Sequence, residues 1–146
     1  MTVRGLEPED ATAVYEIERD CFGDPWTADA LSSVAKEKGR SVFVAVDDGR
    51  PVGYGMIQQV LDECEILRIA VSPRFRRNGA GKLLMEEMIK AAYEKGARIY
   101  YLEVRESNTA AIGLYKKLKF TESGMRNGYY SNPTENAILM SRAVTG

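Results

Sequence analysis

Arg76-Arg77-Asn78-Gly79-Ala80-Gly81-Lys82 joins a β-rich run at 65–71 to a helical pattern at 79–95. In that pattern Leu83, Leu84, Met88, Ala91 and Ala92 recur on one side, and Lys95-Gly96 is a stop signal. A strand feeding a helix through a basic glycine loop is a local unit suited to anions. Glycines permit a tight turn and close approach of a ligand, and the first helical turn offers unpaired N–H groups and a positive dipole end. Either a pyrophosphate binds there, or the loop merely joins strand to helix with its arginines in water. The stretch lacks the Lys-Ser/Thr pair of a P-loop and is not Gly-x-Gly-x-x-Gly, so two nucleotide-binding motifs lose ground.

Downstream, 98–104 reads as a strand, 108–119 as a helix with Ala111, Leu114, Tyr115 and Leu118 on one side, and 136–144 as a closing strand that 120–125 can pair with. Upstream, 41–46 and 51–60 flank Asp48-Gly49, a hairpin turn signal. A short strand at 2–6 opens the chain, and Pro8 among early acids suits a helix start, with Val14, Ile17 and Cys21 at helical spacing. Asp24-Pro25-Trp26 interrupts that helix; Thr27 caps a second one, which carries Leu31 and Val34 inward and ends at Gly39. The order predicts an α/β chain, mixed α+β, with helices on the faces of one mixed sheet. With no repeat and no linker, residues 1–146 are expected to form one domain.

Composition narrows the chemistry. The chain has 146 residues, 45% hydrophobic and 28% charged, near globular averages. A net charge of -1 removes the basic excess that nucleic-acid binding calls for. Without histidine, a Ser-His or Cys-His nucleophile is excluded and the commonest zinc ligand is missing, so no metal is expected. Cys21 and Cys64 are neither a disulfide framework nor a metal spacing, which fits reduced thiols in the cytoplasm. No apolar run approaches the roughly 18 residues of a membrane span, and 1–10 is polar, so neither secretion nor a membrane is expected.

Acid-base work therefore falls to carboxylates, tyrosines or lysines. Strand alternation places Tyr101, Glu103 and Arg105 on one face and Tyr100, Leu102 and Val104 on the other. If the first face is a cleft, Glu103 is a usable base; if it is solvent, Glu103 is a surface residue. Ser107 or Asn108 caps the next helix, and two turns later Tyr115 is either a core residue or a proton donor at the same cleft. Spacing does not choose between these readings.

The stretch Arg76 to Gly81 resembles the Arg/Gln-x-x-Gly-x-Gly/Ala signature of the GNAT superfamily of N-acetyltransferases, following Ile69-Ala70-Val71 as it does there. The blocks Leu102-Glu103-Val104-Arg105-Glu106-Ser107-Asn108 and Ala111-Ile112-Gly113-Leu114-Tyr115, with Cys21-Phe22, Pro25-Trp26 and Arg126-Asn127-Gly128-Tyr129-Tyr130, are similar to the RimI-type enzymes within it. Those acetylate the N-terminal alanine of a small-subunit ribosomal protein. The resemblance spans essentially the whole chain.

It implies a largely antiparallel mixed sheet of about seven strands and four helices, splayed between strands 4 and 5. Acetyl-CoA is the implied cosubstrate: Ile69, Ala70 and Val71 would meet its pantetheine arm through backbone groups. Arg76, Arg77, Asn78, Gly79, Ala80, Gly81 and Lys82 would surround its pyrophosphate. Asn108 would touch it from the far side or serve only as a helix cap. Glu103 would be the base and Tyr115 the acid in a direct transfer to a protein's α-amine. Phe22 and Trp26 would face Tyr129 and Tyr130 across the acceptor site, with Trp26 equally readable as core and the two tyrosines expected in a loop. The segment between Tyr130 and Asn136 is short for the family, which implies a more open groove and leaves room for internal lysines. The alternatives are a GNAT enzyme for a small-molecule amine and a non-catalytic CoA-binding sensor or partner module.

Overall fold

Asp48 and Gly49 both take positive φ, 50° and 76°, the twist that lets a two-residue turn join right-handed strands. They connect β2 (Arg40–Asp47) to β3 (Arg50–Val60) in a computed structural model that describes residues 1–23 and 25–144. Asp24 of the expected helix break, and residues 145–146 at the end of the expected domain, lie outside the described residues. The other strands are β1 (Thr2–Gly5), β4 (Glu63–Val71), β5 (Ile99–Arg105), β6 (Thr121–Tyr130) and β7 (Glu135–Ala143). Together they make one seven-stranded sheet in the order β1-β2-β3-β4-β5-β7-β6. Four α-helices cover it: α1 (Ala11–Cys21), α2 (Ala28–Ala35), α3 (Ala80–Glu94) and α4 (Thr109–Lys117). This is the mixed, largely antiparallel sheet expected from the sequence.

The sheet has a core on each side. On one, α1 and α2 bury Val14, Ile17 and Leu31 against Val44, Tyr54, Met56 and Ala70. On the other, α3 and α4 bury Leu84, Met85, Met88, Ala92 and Tyr115 with Ile66, Tyr100, Leu102, Val104 and Phe120. The Thr27 hydroxyl caps α2 by accepting the Ala30 amide at 3.1 Å.

Three local expectations are corrected. The buried stripe of α3 is Ala80, Leu84, Met85, Met88, Ile89 and Ala92. Leu83 and Ala91 lie at its margins, because the adjacent pairs 84/85 and 88/89 set the centre of the face. Helix α2 stops at Ala35, and Gly39, at φ 82°, turns the chain into β2. Tyr129 and Tyr130 are the last residues of β6, not loop residues: β6 runs on past Met125 alongside β7 until Tyr130 faces Glu135.

Candidate active site

Strands β4 and β5 are the parallel pair of the sheet, and they stay together only while Glu63–Ile66 face Ile99–Leu102. The break has a local cause. Across the β3–β4 ladder Ile57 faces Ile66 and Met56 faces Arg68, so Leu67 is one residue too many. Such a β-bulge bends its strand and increases the twist, and it sits where β4 leaves β5. Beyond it, 67–71 and 103–105 form the two walls of a wedge.

The β4 wall offers backbone groups. Ser72 donates to the Val52 carbonyl at 2.8 Å. Alternation then turns the amides of Ala70 toward β3 and those of Ile69 and Val71 toward the side that β5 has vacated. The Val71 carbonyl there accepts from Cys21 Sγ and from Arg76 Nε, each at 3.2 Å. Arg76 also reaches Cys21 Sγ at 3.5 Å, so its guanidinium is folded back onto the strand end. Burial raises the Cys21 thiol above its ordinary pKa, against the pull of Arg76, which makes it a poor nucleophile.

At the wide end of the wedge the chain passes through exposed Arg77, Asn78 and Gly79 into α3. Gly79 stands at the N-cap with φ 83°, a conformation that favours glycine, and no side chain caps the helix. The Ala80, Gly81 and Lys82 amides at this end therefore have no intrahelical acceptor. A Cβ on Gly81 would lie 3.5 Å from Leu114 Cδ2 and 3.9 Å from Val71 Cγ2, so this turn lies over the gap between β4 and α4. Lys82 is exposed. Asn108 sits at the start of α4, where its Oδ1 caps the helix by accepting the Ala111 amide at 3.2 Å.

The β5 wall carries the carboxylate. Tyr100, Leu102 and Val104 enter the core, which leaves Tyr101, Glu103 and Arg105 on the other face. Glu103 is 22% exposed, and its Oε1 lies 3.6 Å from Arg126 Nε. Hydrogen bonding to Glu103, with burial second, raises the Tyr129 phenol above its ordinary pKa. Tyr130 meets Tyr129 edge-on at 5.1 Å, and burial followed by the charge of Glu103 pushes it up to about 12. Arg105 covers the Tyr130 ring at 4.6 Å. It also donates to the Ser131 and Pro133 carbonyls at 2.9 and 3.0 Å, which braces the short β6–β7 connection. That connection meets the α1–α2 segment: a Cβ on Gly23 would lie 2.5 Å from the Asn132 carbonyl oxygen.

Tyr115 stands on α4. Its ring packs in the core, 6.2 Å from Phe120, and burial, with Tyr130 contributing, holds its phenol far above the ordinary value. No fully enclosed side-chain polar atom lacks a partner among the described residues. The Tyr115 hydroxyl makes no hydrogen bond among them, so it keeps some contact with solvent.

One group here escaped the sequence reading. Glu18 of α1 is fully buried. It accepts from the Tyr54 hydroxyl, from the Trp26 amide at 2.9 Å and from Nε and Nη2 along one edge of the Arg68 guanidinium, Nε at 3.1 Å. Arg68 lies between the rings of Phe22, at 3.8 Å, and Trp26, at 4.4 Å. A cation inside Ile66-Leu67-Arg68-Ile69-Ala70-Val71 and a carboxylate directly after Ile17 on an apolar helix face were the available signals.

Two surface depressions lie elsewhere, one beside Val3, Phe43 and Glu87 and one beside Arg40, Gln59 and Leu61, and neither contains a residue of this site. Among the described residues no helix is long and apolar enough to cross a membrane.

Known proteins share this arrangement. The chain is 35% identical to the [ribosomal protein bS18]-alanine N-acetyltransferase of Escherichia coli K12, over 99% of this chain and 98% of that one. The crystal structure of the ribosomal-protein-S18-alanine N-acetyltransferase from Escherichia coli superposes with a TM-score of 0.91 at 34% identity, covering 99% and 94%. That of Ard1 from Thermoplasma volcanium gives 0.91 at 33%, covering 99% and 98%. The model of the acetyltransferase (GNAT) family matches residues 11–120, which takes in the bulged strand, the glycine loop, Glu103 and Tyr115. With its splayed parallel pair and uncapped α3, the chain belongs to that family and is an N-acetyltransferase.

Proposed function

We propose that the chain transfers the acetyl group of acetyl-CoA to the N-terminal α-amine of a protein, with a small-subunit ribosomal protein beginning with alanine as the target. The observation that carries this reading is the wedge: the edge of β4 that β5 has left on one wall and a carboxylate on the other, with Tyr115 of α4 close enough for Tyr130 to act on its phenol. The residues fit the cosubstrate. The outward amides of Ile69 and Val71 suit the amides of a pantetheine arm, and the uncapped α3 N-terminus, with Arg77 and Lys82 nearby, suits a pyrophosphate. Acetyl-CoA supplies an acetyl group already activated as a thioester. The names of the relatives support the alanine acceptor.

Glu103 takes the proton of the incoming amine, directly or through water. An α-amine has an ordinary pKa of about 7.7 to 8.0 against about 10.4 for lysine, so near neutrality its free base is reached at far smaller cost. Tyr115 works at the other end of the transfer. Even unperturbed, a phenol of about 10 gives its proton to a thiolate of about 8.5 uphill, and burial widens that gap. Its part is to share a hydrogen bond with the leaving sulfur rather than to lose the proton outright. Tyr115→Phe is accordingly expected to lower kcat about ten- to hundredfold with KM for acetyl-CoA nearly constant. An unchanged kcat removes Tyr115 from the mechanism.

The deciding experiment offers acetyl-CoA with two peptides, one with a free N-terminal alanine and one with a blocked terminus and a lysine, and follows thiol release. Release with the free terminus alone is the expected result. Release with the lysine peptide alone moves the activity to internal lysines, and release with neither moves it to small amines or to a CoA-binding module.

A further inference from the structure

The bulge that opens the wedge also sets the aim of Arg68. Ile66 packs into the α3 side of the sheet, whereas Leu67 packs against α1 and α2. In a regular strand Arg68, following Leu67, would alternate back toward α3; at the bulge both share the α1 side, opposite Met56, and Arg68 meets Glu18. There the Nε/Nη2 edge of the guanidinium is taken by one buried carboxylate, and the rings of Phe22 and Trp26 lie against the guanidinium. Burial weakens the guanidinium's hold on its proton, and the hydrogen bonds and charge of Glu18 more than offset this, raising its pKa above the ordinary value. The same carboxylate holds the Trp26 amide, so the segment carrying both rings is tied to β4 by side chain and by backbone.

We propose that Arg68, clamped by Glu18, is a positioning residue for the acceptor: it holds Phe22 and Trp26 as a wall on which the substrate's first residues rest. The proposal rests on the reading of the wedge as a site for a peptide amine. Arg68 is 21% exposed, so its side chain is not sealed in the core. The α1–α2 segment that carries the rings meets the β6–β7 connection beside Tyr130, where a Cβ on Gly23 would press on the Asn132 carbonyl, so the wall and the tyrosine pair lie on adjoining segments. Arg68 touches none of the groups assigned to proton transfer, so its loss should act on peptide binding.

Arg68→Lys tests this in the full chain, because lysine keeps the charge on Glu18 and loses the planar fork and the stacking face. The expected result is a rise of about tenfold in KM for an alanine-initiated peptide, with KM for acetyl-CoA and kcat each within about threefold of wild type. Trp26 is the sole tryptophan, so its fluorescence reports the wall directly. The emission should change in Arg68→Lys, and its response to added peptide, present in wild type, should weaken. Where Arg68→Lys does not fold, Trp26→Leu removes the wall from the other side and should give the same selective rise in peptide KM. A peptide KM within twofold of wild type in the folded variant overturns the proposal, as does an equal rise in both KM values. Wild-type protein that binds acetyl-CoA but acetylates no peptide amine overturns the acceptor reading itself, and the proposal with it.

Discussion

Glu103→Gln is expected to lower kcat by about 10²- to 10⁴-fold, the range a positioned general base supplies. Glutamine keeps the length of the side chain, an oxygen toward Arg126 and an acceptor toward Tyr129. Proton acceptance is therefore the property that changes. The groups that suit acetyl-CoA lie on β4 and α3, across the wedge from Glu103, so KM for acetyl-CoA should stay within about twofold. Steady-state kinetics with an alanine-initiated peptide separate the two constants. A kcat within threefold of wild type would remove Glu103 as the base, and a parallel loss of acetyl-CoA binding would make it a structural support of the wedge.

The sequence carried the architecture because its strongest signals are local. Asp48-Gly49 demands a primed turn, Lys95-Gly96 ends a long helix, and the alternation from Tyr100 to Arg105 fixes which face of β5 holds Glu103. The glycine loop was legible for the same reason, since Gly79 needs positive φ whatever else the protein does. The rest depends on register between distant segments. That β4 has one residue more than β3 at Leu67 is a property of two strands together and leaves no mark in either alone. The splay between strands 4 and 5 was expected through family resemblance rather than from spacing. Tyr115 stayed ambiguous because its ring is core, and helical spacing fixes where the ring packs but not what its hydroxyl faces.

Glu18 was missed because burying a charge is costly unless a partner is found, and its partner is fifty residues away. That cost yields the second large expectation, in stability. Glu18→Ala leaves the Arg68 guanidinium without its carboxylate and strips acceptors from the Tyr54 hydroxyl and the Trp26 amide. Breaking a buried pair from one side costs about 3 to 5 kcal/mol. Because Arg68 is 21% exposed and can turn toward water, the lower end, about 3 kcal/mol, is expected. At about 2 to 4 °C per kcal/mol for a chain of this size, the melting temperature should fall by about 6 to 12 °C. Glu18→Gln keeps the volume and one acceptor and should lose less. Removing both charges together, in Glu18→Leu with Arg68→Met, should recover part of the loss, since the penalty comes from a stranded charge rather than from a missing attraction. Thermal unfolding of the four proteins decides it. A melting temperature within 2 °C of wild type in Glu18→Ala would mean that the pair is not desolvated in solution. A double variant no better than Glu18→Ala would place the loss in the Tyr54 and Trp26 hydrogen bonds. The expected order instead makes the pair a device retained at a cost in stability, which is intelligible where a fixed cation must hold two aromatic rings beside an open wedge.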